Sequence, residues 1–530
     1  MIYSRARTGE GGRLIDLDVD NRTDVPLFYH DHGERSEMIG VQTQPFMETV
    51  TMAATMNRRE FLGAGAAGAG AMLLGTVLSN STAMAGQPGE WPPKMPPVKI
   101  YKVYVGRTGG IYLSRPTEEI DKFEKYLAGV EAKLGDVKFI GGELIPPAEA
   151  SAVIAKLKEA DGVLLFHLCG HGGDAPSQAM EQIVNVGLPT AVFSQPFSGH
   201  GWMYFPKWRK EGKKVLLLPS SDWSELDRVA GLMRVAPHLR RTRILVVNGP
   251  LGTAAACSAE QVKARLGVEM IPVSIEETVA AHAAVDIKLA QQEAEEYWLS
   301  KARKIVEPTK DEIISSARYY LAIKKMMMEK GAQAVTSSGC MGKPAKGCLA
   351  FSKLNDLGMV GACEGDMDST LTMLMFAYAF NVPGFITDPV FDTARNALIH
   401  FHCTSATRMD GPQGTRLPFN IRTQTDSDQG VALEVENRVG QDVTCAKFIN
   451  LDTMLISTGK IIDVTHNDLG CRTQFVTKVA DARSMFQNWG AGVLEGGVMT
   501  LLHRAVFYGD HMQNVRNLSD LMGFKVVEEA

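Results

Sequence analysis

The chain has no marked excess of either charge. Its 55 Lys and Arg face 60 Asp and Glu, for a formal net charge of −5 over 530 residues. No basic stripe with interleaved aromatics occurs, so nucleic acid is not an expected partner. No G-x-G-x-x-G follows a strand pattern, which removes the usual dinucleotide fingerprint. Gly249-Pro250-Leu251-Gly252 and Gly170-His171-Gly172-Gly173 each follow an apolar run, and both read first as tight connections. Cysteine is sparse, at eight residues, and no C-x-x-C pair is present, so a zinc knuckle is not expected. Several of these cysteines sit in apolar runs and read as small buried hydrophobes. There is no internal repeat and no low-complexity tract outside the N-terminal region. No apolar run reaches the roughly 20 residues of a membrane span.

The longest apolar run, 63–78, is rich in Gly and Ala. It follows Asn57-Arg58-Arg59-Glu60-Phe61-Leu62 and precedes Ala83-Met84-Ala85. Charged, apolar and small-residue regions in that order form an export signal, and the arginine pair makes it a twin-arginine one. The expected location is periplasmic, with the twin-arginine translocase as the partner in transit. Residues 1–55 are polar and aperiodic, and read as a mis-assigned start or a disordered extension. Twin-arginine cargo crosses already folded, so thiols can stay reduced and a metal can be taken up beforehand.

Beyond the Pro-rich linker, apolar strand runs alternate with helical periodicity. Strands are expected at 98–105, 137–140, 162–167, 190–194 and 215–219. Helices are expected at 117–134, 147–160, 176–186 and 222–235. A second series has strands at 243–248, 268–272, 332–337 and 359–363. Its helices are expected at 253–266, 349–357 and 367–380, with a long helical stretch at 281–331 split near Pro308. Alternation of this kind implies βαβ units and parallel sheets. After about residue 382 helical periodicity gives way to short alternating runs at 398–402, 432–436, 443–450, 454–464 and 471–478. These read as an antiparallel sheet or barrel, closed by a helix at 511–522 and a strand at 524–527. The expected divisions are 1–85 (extension and signal), 86–238, 239–381 and 382–530.

The chemistry concentrates at 361–403. Glu364 and Asp388 each end a short apolar run, 359–363 and 383–387, and ligands in α/β sheets bind at the carboxyl ends of strands. His400 and His402 lie two apart on a strand and so share a face. Two carboxylates with imidazoles form an oxygen/nitrogen donor set that suits Mn²⁺, Fe²⁺, Co²⁺ or Zn²⁺ better than Ca²⁺. Against this stands the ordinary reading, in which a strand-end acid caps the next helix and a strand histidine is a hydrogen-bonded core residue.

The runs CLAFS at 348–352, Leu354-Asn355-Asp356-Leu357-Gly358, Ala362-Cys363-Glu364-Gly365-Asp366 and Leu371-Thr372-Met373 resemble the L-fucose isomerase-like family, to which L-arabinose isomerases are more distantly related. Asp388-Pro389, His402-Cys403 and the stretch from Leu502-His503-Arg504 to Gly509-Asp510 are similar to that family's C-terminal part. The resemblance is strong over 337–530 and weaker over 98–337. It implies two Rossmann-like (doubly wound parallel sheet) domains followed by a β-barrel. It implies aldose–ketose isomerisation of a monosaccharide with a divalent metal, usually Mn²⁺, and a homo-oligomer, trimer or hexamer. Glu364 and Asp388 are then the acid/base pair and metal ligands, with His402 and His503 completing the ligand set and His400 supporting from behind. The partner acid is Asp, unlike the Glu of the arabinose enzymes, and the late His-His pair is here Leu502-His503. The related alternatives are a metal-dependent sugar epimerase or lyase, or a non-catalytic periplasmic sugar-binding protein.

Overall fold

The computed structural model describes residues 91–107, 116–168, 177–338, 346–425, 429–492 and 501–530. The signal at 57–85, the extension before it, the Gly170–Gly173 run and two of the cysteines, Cys169 and Cys340, lie outside the described residues. None of the described helices is long and apolar enough to cross a membrane.

Five strands, β1 (Val98–Val105), β2 (Val137–Ile145), β3 (Gly162–His167), β4 (Thr190–Ser194) and β5 (Val215–Leu218), form a parallel sheet in the order β2-β1-β3-β4-β5. Every residue of β3 and β4 is buried, because both faces of the sheet are covered. Val103, Val105 and Leu165 pack with Met180, Ile183 and Trp208 on one face. Tyr104, Leu164 and Phe166 pack with Phe123, Leu127 and Leu226 on the other.

Strand β2 runs past residue 140, the end expected from the sequence, to Ile145. Gly141 (φ +74°) and Gly142 (φ +120°) form a bulge opposite Lys102 and Val103. A Cβ at Gly141 would lie 2.4 Å from the Tyr101 ring, so the position takes only glycine and pairing resumes beyond it. The helix expected at 147–160 is reduced to Ser151–Ile154 and a 3₁₀ turn at Lys156–Glu159. Pro146 and Pro147 delay its start, and Ala150 offers no side-chain cap.

The second parallel sheet has the order β7-β6-β8-β9, from β6 (Arg243–Val247), β7 (Glu269–Val273), β8 (Ala334–Ser337) and β9 (Val360–Cys363). The helix expected at 253–266 breaks at Ser258, whose hydroxyl caps Ala259–Leu266 by accepting the Gln261 N–H. The long stretch before β8 has three main helices, at Ile275–Ala284, Ile287–Ala294 and Lys310–Lys330. The last starts at a Thr309/Glu312 capping box, just after Pro308.

The C-terminal region is a closed antiparallel six-stranded barrel. Its strands are β10 (Gly384–Asp392), β11 (Ala397–His402), β14 (Asp442–Ile449), β15 (Thr453–Val464), β16 (Thr473–Lys478) and β17 (Arg504–Tyr508). They run in the order β14-β17-β10-β11-β16-β15, and β15 pairs back onto β14. The hairpin β12 (Phe419–Gln424) with β13 (Gln429–Val435) forms a separate sheet, and β18 (Lys525–Glu528) adds to β15 in parallel. The helix Met367–Phe380 packs between β9 and the barrel. Its Phe376 stacks on Phe507 with ring centroids 3.8 Å apart, and Leu371, Leu374 and Phe376 share a core with Ala362, Ile386 and Ala446. Cover on all sides explains why that helix is apolar all round.

Candidate metal centre

Glu364 directly follows β9 and has φ +59°, and Gly365 after it has φ +72°. Two successive left-handed residues turn the chain sharply into Asp366, the N-cap of Met367–Phe380. A Cβ at Gly365 would lie 2.9 Å from Ser338 Cβ and 3.1 Å from the Gly249 carbonyl oxygen, so glycine is required there. A left-handed glutamate costs about 1–2 kcal/mol, and the packed turn holds it at the strand end with its side chain 35% exposed.

The other donors come from the barrel. Asp388 lies within β10, opposite Phe401, rather than at the end of a parallel strand as its apolar run implied. His402 ends β11. His503 immediately precedes β17. His402 Nε2 is 3.7 Å from Glu364 Oε1. His503 Nε2 is 3.4 Å from Glu364 Oε2 and 3.2 Å from Asp388 Oδ1. Donor atoms of Glu364, His402 and His503 lie within 4.8 Å of one another, a group that can hold a metal ion. Asp388 touches this group through His503. His400 faces elsewhere: its ring stacks on Phe475, and its nitrogens meet the hydroxyls of Thr387 (3.1 Å) and Thr477 (2.8 Å).

Asp388 Oδ1, His402 Nε2 and His503 Nε2 are buried with no hydrogen-bond partner. The approaches of His503 to Asp388 and Glu364, and of His402 to Glu364, are ion-pair distances without the alignment of a hydrogen bond. Buried polar atoms are rarely left this way, and a divalent cation among them would satisfy all three. The donor set therefore fits a metal ion, and its nitrogen and oxygen atoms suit Mn²⁺, Fe²⁺, Co²⁺ or Zn²⁺.

Two residues missed in the sequence complete the centre. His503 Nδ1 donates to Asp366 Oδ2 at 2.9 Å, and Lys447 Nζ donates to the same oxygen at 2.7 Å. Both members of the Asp366–Lys447 pair are fully buried. Carboxylate–histidine contacts of this kind fix the ring and its tautomer so that the other nitrogen faces the metal. Asp366 is also the N-cap of Met367–Phe380, where its side chain accepts the Ser369 N–H. Nothing local reveals that it reaches a histidine 137 residues away. His402 is set differently, because its Nδ1 accepts the Cys403 N–H at 3.0 Å. The neutral ring then carries its proton on Nε2. Ligation through Nε2 requires that proton to leave for Nδ1 and the Cys403 contact to be given up.

Electrostatics follow from these contacts. The close approach of His503 holds the Glu364 carboxyl below its ordinary range, against burial and with help from His402. Burial opposes the charge on His503, but Asp366, then Asp388 and Glu364, push it up to about 10. Burial opposes the charge on Asp366 too, yet Lys447 and His503 hold it ionised well below the usual carboxylate range. Burial and the neighbouring Asp366 charge push Asp368 up to about 6. It accepts the Thr253 N–H and hydroxyl at 2.6 and 2.7 Å.

A second buried group, Cys363, His402 and Cys403, also brings donor atoms within 4.8 Å and can hold an ion. A cavity of about 390 Å³, bordered by Arg265, Phe448 and Phe524 among others, shares no residue with either group. No protein-family model matches the chain, and no curated protein matches it in sequence.

Proposed function

We propose that the protein is an exported, metal-dependent sugar isomerase of the L-fucose isomerase-like kind, interconverting an aldose and a ketose through an enediol. The two parallel-sheet regions are then its Rossmann-like domains. Mn²⁺ is the expected metal, the periplasm the destination, and a trimer or hexamer the assembly. One observation carries the reading. Three unpartnered buried donors from the barrel converge with Glu364, at the positions the family resemblance assigns to metal and acid/base roles.

A divalent cation bound there supplies Lewis acidity toward the hydroxyl and carbonyl oxygens of the sugar. The chain's own groups divide the remaining work. Glu364 stays ionised at neutral pH and is the most exposed of the four, so it can take a proton from a substrate carbon. Asp388, on the other side of His503 Nε2, can exchange the proton on the adjacent oxygen. Asp366 keeps the His503 proton on Nδ1 and leaves Nε2 as a lone pair. His402 would join the ligand set through Nε2 once its proton moves to Nδ1. Lys447 neutralises Asp366 so that the buried carboxylate persists.

The test has two readings. Protein purified without added metal salts is assayed for bound divalent ions, and then incubated with a panel of aldoses, with ketose formation measured. One equivalent of metal and turnover of at least one aldose is the expected result. Metal without turnover on any aldose would redirect the assignment to a related epimerase or lyase. Neither metal nor turnover would remove it.

A further inference from the structure

Four of the six described cysteines meet at one place. Cys348 opens the helix Cys348–Asp356, Cys363 ends β9, Cys403 follows β11, and Cys471 precedes β16. All four are buried. Cys348, Cys363 and Cys471 each bring a thiol within hydrogen-bonding reach of Cys403, and Cys348 Sγ lies 3.2 Å from Cys403 Sγ. The two side chains pack with Ala432 in a small apolar cluster. The sulfurs need move only about 1.2 Å to reach the bonded length of about 2.05 Å. Cys363 also lies within 4.8 Å of Cys403, in company with His402.

We propose that Cys348 and Cys403 form a disulfide when the protein folds or opens in an oxidising thiol buffer, closing a loop of 55 residues. This is independent of the isomerase reading. In the step, two thiols lose two protons and two electrons and one S–S bond forms. The oxidant is a small organic disulfide, which leaves as two thiols. Burial keeps the pair from exchanging quickly in the folded protein, so bonding is set while the chain is open. The bond would tie the residue next to His402 to the first turn of a helix of the second parallel-sheet region. An oxidised protein would therefore hold the end of β11 covalently.

The experiment uses the full chain, denatured, reduced and refolded in a glutathione redox buffer, and in parallel in a reducing buffer. Both samples are quenched with acid, unfolded, alkylated and mapped by mass spectrometry before and after reduction. The expected result in the redox buffer is a loss of two of the eight thiols. The mass falls by about 2 Da for the two hydrogens, and one linked peptide pair contains Cys348 and Cys403. Cys363→Ser and Cys471→Ser should leave that pair intact, and Cys348→Ser should abolish it. The wild-type map decides the matter even where a variant does not fold. Eight alkylated thiols in both samples would overturn the proposal. So would a link from Cys403 to Cys363 or Cys471, or thiols protected without reduction and released by a chelator, which would mark a thiolate-bound metal.

Discussion

Glu364 carries the centre's accessible negative charge on a left-handed backbone, and its environment keeps it ionised. Glu364→Gln preserves shape and removes that charge. Bound metal should fall below stoichiometric, and isomerisation should drop by roughly 10²–10⁴-fold. Asp388→Asn should behave alike. His402→Gln should reduce turnover more than His400→Gln, since His400 meets Thr387, Thr477 and Phe475 rather than the other candidate ligands. Its loss should cost at most the roughly 10–100-fold typical of residues behind the ligands. Metal content and turnover at wild-type levels in Glu364→Gln would contradict the assignment. Away from the centre, burial pushes His167 down to about 4, beside the Ser194 hydroxyl at 3.1 Å. A histidine depressed in the folded state stabilises fully above its ordinary pKa of about 6.5, and that stability is lost as pH falls toward 4. At pH 5 the loss is about 2 kcal/mol. The variant His167→Gln removes this dependence, so the gap in unfolding free energy between wild type and variant should shift by about that much between pH 7.5 and pH 5. A gap that stays constant over this range would place His167 outside the acid response.

The turn from β9 into Met367–Phe380 is the element on which the site depends, and glycine at 365 makes it possible. Gly365→Ala combines a left-handed conformation (φ +72°) with a Cβ 2.9 Å from Ser338 Cβ. Gly523→Ala has the same conformational cost (φ +70°) with nothing within 4 Å of the new atom. The first should destabilise by about 1–3 kcal/mol and weaken metal binding through displaced Glu364. The second should cost about 1 kcal/mol and leave metal binding alone. Urea unfolding with metal titration compares them, and an equal loss at both sites would refute the crowding argument. Elements buried on all sides were the most legible in the sequence. The bounds of β1, β3, β4 and Met367–Phe380 follow from apolar runs ended by polar residues or glycine. Harder were elements whose ends are set by distant partners. Strand β2 passes through Gly141-Gly142 by a bulge whose pairing with β1 resumes beyond it, and the Tyr101 ring makes glycine necessary at 141. Strand β10 continues through Pro389, where it is paired with β11 but no longer with β17, whose pairing ends at Thr387. In the candidate site, Glu364 could be placed from its strand end, whereas Asp366 and Lys447 could not be joined to His503 by any local pattern.

At the scale of the whole molecule, two expectations concern how the chain is delivered and how it is held. If Arg58-Arg59 is the translocase's recognition pair, changing both to Lys should leave precursor in the cytosol, as read by fractionation and immunoblotting. Export at the normal rate would exclude the twin-arginine route. The second expectation follows from where the donors originate. Glu364 comes from the second parallel sheet, and Asp388, His402 and His503 from three separate points of the barrel. An ion shared by them is a tie that only the folded chain can make, so binding must appear as stability. At an ion concentration a hundred times Kd the gain is about 2.7 kcal/mol. Chelation should therefore lower the Tm, and Mn²⁺ should restore it. The variant Glu364→Gln should start near the chelated value and respond weakly. His503 holds a proton up to about 10 where the cation would bind, so binding releases protons, and the Mn²⁺-dependent rise in Tm should be larger at pH 8 than at pH 6. A Tm that ignores both chelator and Mn²⁺ at either pH would mean that Glu364 and the barrel donors share no ion.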